Sequence, residues 1–280
     1  MGTENVQRIA AFSTETGGNP AGVMIGDQLP CAEDMQAIAA DVGYAETAFA
    51  APSGDKWRVR YFAPAREVPF CGHATIALGA ALGAQFGAGR YDLVLNDADI
   101  SVKATQDGTE WSAALMSPAT SHTQPDPALV RDAMLLFGLT ADDLDPELPV
   151  TRIAANADML TLPLKSRARL SQLHYDQDAG AALSAQHGDL VGFYLVWRES
   201  ERSFHVRMPF PSGGVFEDIA TGAAAAAWSG WLRDSGRLTG EISIRQGEDM
   251  GEPSRITAIS TTEIGAPVVV SGATRLIEWP

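Results

Sequence analysis

Two cysteines in 280 residues are too few for a disulfide framework. Neither Cys31 nor Cys71 falls in a Cys/His run with metal-ligand spacing, so no metal and no zinc motif is expected from the sequence. Basic residues are scarce as well: 20 Lys and Arg stand against 35 Asp and Glu, a formal net charge of −15. Nucleic acid and anionic membrane surfaces are recognised through basic patches, which this chain does not show, and neither is an expected partner. No apolar run approaches the roughly 20 residues that span a bilayer, and Met1 to Ala11 lacks the charged-then-apolar pattern of a secretory leader. A cytoplasmic location is the resulting expectation. Three motifs are missing too. Without G-x-G-x-x-G, G-x-x-x-x-G-K-[ST] or G-x-S-x-G, dinucleotides, ATP and the common serine-hydrolase elbow lose their sequence support.

What the chain does have is one short grammar used twice. Pro69-Phe70-Cys71-Gly72-His73-Ala74-Thr75 and Asp218-Ile219-Ala220-Thr221-Gly222-Ala223-Ala224 each lead through polar residues to a glycine, and an almost wholly apolar run follows at once. That pattern reads as a glycine turn opening a buried helix. A helix start presents unpaired backbone N–H groups and the positive end of the macrodipole, so Gly72 and Gly222 each let an anionic group approach the chain closely. Two such ends are expected to clamp one anion. In a chain this acidic, oriented backbone dipoles would supply the local attraction.

A hydrophobic content of 45% with 20% charged residues is ordinary for a globular protein, and the mixed strand and helix signals that follow give an α+β chain. In the first half, strands are expected over Val6–Phe12, Ala21–Ile25, Tyr44–Ala51, Trp57–Ala63, Tyr91–Leu95, Ile100–Thr105 and Trp111–Met116. A helix is expected over Ala32–Val42, with Glu33 and Asp34 in its first turn and Gly43 as its stop. The helix from Ala74 to about Ala84 has no polar face and must be buried on every side. After the Pro-rich link Ser117–Pro127 the second half offers a helical piece, Asp126–Phe137. Strand candidates follow at Ile153–Leu164, Val191–Trp197, Phe204–Met208, Ile242–Arg245, Ile256–Ser260 and Pro267–Val270, around a second apolar helix, Ala223–Leu232. Each half thus has strands enough to curl around one apolar helix, which suggests two pseudo-symmetric domains, residues 1–117 and 118–280, whose terminal strand can return to the first.

Five further pieces carry a resemblance. They are Gly17-Gly18-Asn19-Pro20; Met35-Gln36-x-Ile38-Ala39 leading to Ala45-Glu46-Thr47; Phe62-x-Pro64-x-x-Glu67-Val68-Pro69-Phe70-Cys71-Gly72-His73-Ala74-Thr75; Glu217-Asp218-x-Ala220-Thr221-Gly222; and Gln246-Gly247-x-x-Met250-Gly251-x-Pro253-Ser254. In this order the chain resembles the PhzF-like phenazine-biosynthesis proteins, which share the diaminopimelate epimerase-like fold. The resemblance implies two domains, each a curled sheet around a central helix, with the active site where the two helix starts face each other. It implies a cofactor-independent isomerase, commonly a homodimer, that moves a proton within a small carboxylate. It places the acid/base glutamate on Glu46, paired polar residues on His73 and Asp218, and carboxylate-holding amides on Gly72, His73, Gly222 and Ala223. Asn19 and Pro20 in the glycine-rich loop either shape or close the site or form a plain turn.

The residues themselves leave alternatives open. Glu46, in the expected strand Tyr44–Phe49, is either on a solvent face or held in a cleft, where a shielded carboxylate can take up and return a carbon-bound proton. His73 in a first helical turn is biased toward its neutral form, which donates from one nitrogen and accepts at the other, or it is a structural cap. Glu217 and Asp218 are dipole complements unless one points into a cleft. Cys71 beside Gly72 is the position of an acid/base in two-cysteine epimerases, and Thr221 stands at its counterpart beside Gly222, where an alcohol makes a weak second base. The residues therefore favour a proton shuttle on one face over two-face epimerisation. An amino-acid epimerase or racemase of the same fold and a non-catalytic carboxylate binder are the rivals.

Overall fold

The computed structural model describes residues 3–155, 157–188 and 190–278. It divides into two compact units, residues 1–116 with 271–280 and residues 117–270.

In the first unit the elements run β1 (Gln7–Ala11), β2 (Asn19–Ile25), α1 (Ala32–Val42), β3 (Thr47–Ser53), β4 (Lys56–Ala63), β5 (Arg66–Val68), α2 (Gly72–Phe86), β6 (Gly89–Val94), β7 (Asp99–Asp107) and β8 (Glu110–Met116). Strand pairing proceeds β1–β2–β3–β4–β6–β7–β8, with β2–β3 and β4–β6 parallel and the other pairs of known register antiparallel. The chain's last strand, residues 269–276, pairs with both β8 and β1, which closes eight strands into a barrel. Closure leaves those strands no free edge.

The expectation for the apolar helix is met. Every residue of α2 from His73 to Gly83 is buried, and the helix packs against β1, β2, β3, β6, β7 and β8. Its glycines set how near the barrel wall can come. A Cβ on Gly79 would stand 2.5 Å from Val102 Cγ2 and 3.0 Å from Ala113 Cβ, and one on Gly83 would stand 2.7 Å from Ala104 Cβ. Helix α1 lies on another face of the sheet, where Met35, Ile38, Ala39 and Val42 join Val6, Met24, Phe49 and Phe62 in a separate apolar cluster. It stops where expected: Gly43 takes a positive φ of 72° and its N–H bonds Ala39 O.

The second unit contains β9 (Ser121–Thr123), α3 (Pro127–Leu136), β10 (Arg152–Ala154), β11 (Asp158–Leu164), α4 (Arg167–Ser171), α5 (Gln177–Gln186), β12 (Leu190–Arg198), β13 (Ser203–Phe210), β14 (Val215–Asp218), α6 (Gly222–Asp234), β15 (Gly240–Gln246) and β16 (Ser254–Ser260). Its sheet runs β9–β10–β11–β12–β13–β15–β16, with β14 as a hairpin partner of β13. Helix α6 is buried from Ala224 to Arg233 and packs on β9, β10 and β16. Strand β12 is buried on both faces. Phe193 and Leu195 join the cluster with Leu129, Ala133 and Phe137 of the α3 region, while Tyr194 between them packs on Trp228 of α6. The continuous apolar lettering of β11 and β12 follows from this double burial.

The structure corrects several expected boundaries. The single strand expected over Ile153–Leu164 is two strands, β10 and β11, which pair antiparallel as a hairpin. The last strand, β17 (Val269–Leu276), starts later and runs further than Pro267–Val270. The strand expected from Tyr44 begins only at Thr47. Helices α4 and α5 and strand β9 were not expected, because short polar segments carry little periodicity.

Overpacking a tight interior costs about 1–3 kcal/mol, and Gly79→Val should lower stability by at least that much. Gly89→Ala, at a site with no heavy atom within 4 Å of the added Cβ, should stay within about 0.5 kcal/mol of wild type. Urea denaturation of both variants checks the contrast.

Candidate active site

Three of the residues singled out from the sequence meet at the start of α2. Cys71 occupies the N-cap position in extended conformation, with φ −144° and ψ 118°, and its side chain makes no capping bond. The helix begins at Gly72, where an added Cβ would find no heavy atom within 4 Å. The Cys71 thiol donates to Glu46 Oε2 at 3.4 Å and lies 3.4 Å from His73 Nδ1. His73 Nε2 is 3.4 Å from the same Glu46 oxygen.

Glu46 therefore turns inward although it precedes β3 instead of lying within it. The bend at Tyr44-Ala45 follows the Gly43 cap, and the Glu46 carbonyl already accepts from Gly22 N at 3.1 Å, so the carboxylate is placed at the very edge of the sheet. Its side chain keeps 22% of its exposure while the His73 side chain keeps 9%. Burial pushes the imidazole below its ordinary value, and the Glu46 carboxylate pulls the other way. The neutral ring expected from the first-turn position is favoured here by desolvation.

The turn before α2 is braced from inside. Thr75 Oγ1 donates to Cys71 O at 2.7 Å and lies 2.7 Å from the Tyr61 hydroxyl, whose titration burial moves far upward. Asn19, at the start of β2, is 3% exposed. It follows Gly17 and Gly18, both at positive φ; a Cβ on Gly18 would come within 3.0 Å of Ala10 and Ala11 atoms, which explains the glycine pair.

The second unit contains the counterpart. Thr221 is the extended N-cap residue of α6 and its hydroxyl does not cap the helix either; it donates to Asp218 Oδ2 at 2.6 Å. Gly222 and Ala223 form the half-buried first turn. Alternation along β14 sorts the two adjacent acids. Glu217 is buried on a bidentate pair with Arg207, and Asp218 projects to the other side, toward Thr221. Gln246, quoted in the sequence only as part of a motif, locks this corner. Its amide donates to Asp218 O at 2.8 Å and to Thr221 Oγ1 at 3.0 Å, while its oxygen accepts from Thr221 N at 3.2 Å. The glycine after it has φ 76° and would clash with Glu252 O at 2.2 Å if it carried a Cβ.

Cys31 also sits at a helix start, as the N-cap of α1 whose sulfur accepts from Asp34 N at 3.4 Å. Metal-ligand spacing along the chain showed no cluster, yet Glu46, Cys71 and His73 hold three donor atoms within 4.8 Å of one another. The 25-residue separation of Glu46 and Cys71 hid that grouping. No described helix is long and apolar enough to cross a membrane.

Comparison with known proteins finds similarity over nearly the whole chain. It is 30% identical to the isomerase YddE of Escherichia coli O157:H7 over 98% of this chain and 97% of the relative. It is 32% identical to the trans-2,3-dihydro-3-hydroxyanthranilate isomerase of Pseudomonas chlororaphis over 86% of this chain and 84% of that one. The fold matches the crystal structure of a PhzF-family phenazine biosynthesis protein from Bacillus anthracis with a TM-score of 0.86 at 21% identity, covering 98% of this chain and 96% of that chain. The family model described as phenazine biosynthesis-like protein, PhzC-PhzF, matches residues 9–276, and with these relatives it shows that the chain is an isomerase belonging to that family.

Proposed function

We propose that this isomerase acts without a cofactor on a small carboxylate and moves one proton between two of its carbons, with Glu46 as the group that carries it. The observation behind the assignment is the inward-turned Glu46 carboxylate beside the buried His73 ring at the uncapped start of α2. In the proposed step a substrate C–H proton passes to a Glu46 oxygen, and the C–H electron pair moves into the adjacent carbon framework. The double bond there shifts, and Glu46 returns a proton, exchanged with solvent while it resides on the carboxyl group, to a second carbon. The first-turn amides of α2, Gly72 and His73, are assigned to the substrate carboxylate, because helix starts bind anions through oriented N–H groups; the first turn of α6, Gly222 and Ala223, offers the same chemistry.

Neutral His73 can donate to a substrate oxygen or nitrogen, since desolvation disfavours the imidazolium. Asp218 is assigned to a polar substrate group, oriented by the Thr221 hydroxyl and by Gln246. Asn19 is assigned to the wall of the site. The aminated, hydroxylated ring acid isomerised by the Pseudomonas chlororaphis relative is the first compound to try; the substrate pocket, unlike the carboxylate-binding ends, is not transferable by fold.

With a substrate identified by screening small carboxylates, Glu46→Gln should reduce kcat about 10²–10⁴-fold and leave KM near wild type, because the amide keeps the shape but cannot carry the proton. Unchanged kcat would remove Glu46 from this role. Cys71→Ala should keep most turnover. A two-base epimerase needs a second group on the opposite face, and a folded Cys71→Ala enzyme that binds substrate but has lost turnover would favour that reading instead.

A pH dependence follows from His73. Its native form holds protons less tightly than the unfolded chain, so between the lowered native value and about 6.5 the unfolded state binds more protons and stability rises with pH. The loss on acidification sets in as the pH falls through about 6.5. His73→Asn should flatten that part of the profile, as read from urea midpoints measured between about pH 7.5 and about pH 5.5.

A further inference from the structure

We propose that Glu46, Cys71 and His73 together form a binding site for a thiophilic divalent cation, with Zn²⁺ the best fit. The donor atoms are Glu46 Oε2, Cys71 Sγ and His73 Nε2, separated by 3.4 Å (oxygen to sulfur), 3.4 Å (oxygen to nitrogen) and 3.9 Å (sulfur to nitrogen). Tetrahedral zinc with a Zn–S distance of about 2.3 Å and Zn–N and Zn–O distances of about 2.0–2.2 Å spaces its ligands about 3.4–3.6 Å apart. The three atoms thus stand at three corners of such a tetrahedron to within a few tenths of an ångström. As a hydrogen bond the imidazole–carboxylate contact is loose, since charge-assisted pairs close to about 2.7–2.9 Å.

Donor chemistry narrows the ion. A thiolate, an imidazole and one carboxylate oxygen suit zinc or cobalt, whereas magnesium and calcium take all-oxygen shells. On binding, the thiol proton leaves to solvent and the sulfur electron pair forms the bond to the ion, with no change of oxidation state. Three protein ligands leave a fourth position for water, and the residual exposure of Glu46 provides an approach from solvent.

Ion binding stands on this geometry alone. Its consequence rests on the proposed reaction: an ion held by Glu46 and His73 occupies the groups that handle the proton, and Zn²⁺ would act as a reversible inhibitor.

The test titrates the full chain with Co²⁺ alone, without oxygen, and reads the thiolate-to-cobalt charge-transfer band. Zn²⁺ is then used to displace the cobalt. One cobalt per chain is expected, with the band lost in Cys71→Ala, retained in Cys31→Ala, and Zn²⁺ affinity lowered at least about tenfold in Cys71→Ala and Glu46→Gln. Cys71→Ser serves if the alanine variant is misfolded by circular dichroism. Absence of the band in the wild type, its persistence in Cys71→Ala, or its loss in Cys31→Ala would overturn the site. A band that obeys these expectations while turnover is indifferent to bound Zn²⁺ would leave the site standing and overturn the roles given to Glu46 and His73.

Discussion

A helix with no polar face can exist in water only if something surrounds it, and that requirement organises the first unit. With His73 to Gly83 all buried, the barrel must close around α2, and the glycines at 79 and 83 let the wall come within van der Waals reach. An enclosed helix cannot satisfy its first amides through its own backbone, because those N–H groups precede the i→i−4 ladder. Neither Cys71 nor Thr221 caps them with its side chain. The apolar core thus delivers a polar, positively biased end to a defined point, and the groups with chemistry gather around it.

Where the sequence was legible, a local rule and the tertiary context agreed. Helix α1 begins at Ala32 and ends at Val42 as read from acids in its first turn and the glycine stop, and the closing Gly43 has the left-handed conformation that makes it a stop. The burial of α2 and α6 followed from composition alone. Strand β12 was found because double burial makes it continuously apolar, and the same lettering in β11 led to its being read as one strand with β10. The polar surface helices α4 and α5 were missed because their few buried positions leave no clear period.

The site was legible in part. His73 and Cys71 could be paired from their two-residue spacing, but the approach of Glu46 depends on where the β2–β3 pairing ends, which is a long-range fact. Of the adjacent acids at 217 and 218 the resemblance selected Asp218, and strand alternation gives the reason for the difference, with Glu217 on Arg207 and Asp218 turned toward Thr221. Gln246 was the least visible. A buried amide whose oxygen and nitrogen hold three groups at one corner has no signature along the chain.

The central claim is that the isomerase moves a carbon-bound proton through a carboxylate and not through a cofactor, and solvent isotope uptake addresses it most directly. Small carboxylates are incubated with the enzyme in deuterium oxide, and the products are resolved by mass and by the carbon that carries the label. The account predicts a product isomer labelled at the carbon that receives the proton, formed by the chain without added cofactor, with labelling suppressed in Glu46→Gln. Isomerisation with undiminished labelling in Glu46→Gln, or carboxylate binding with neither isomer nor label, would contradict it.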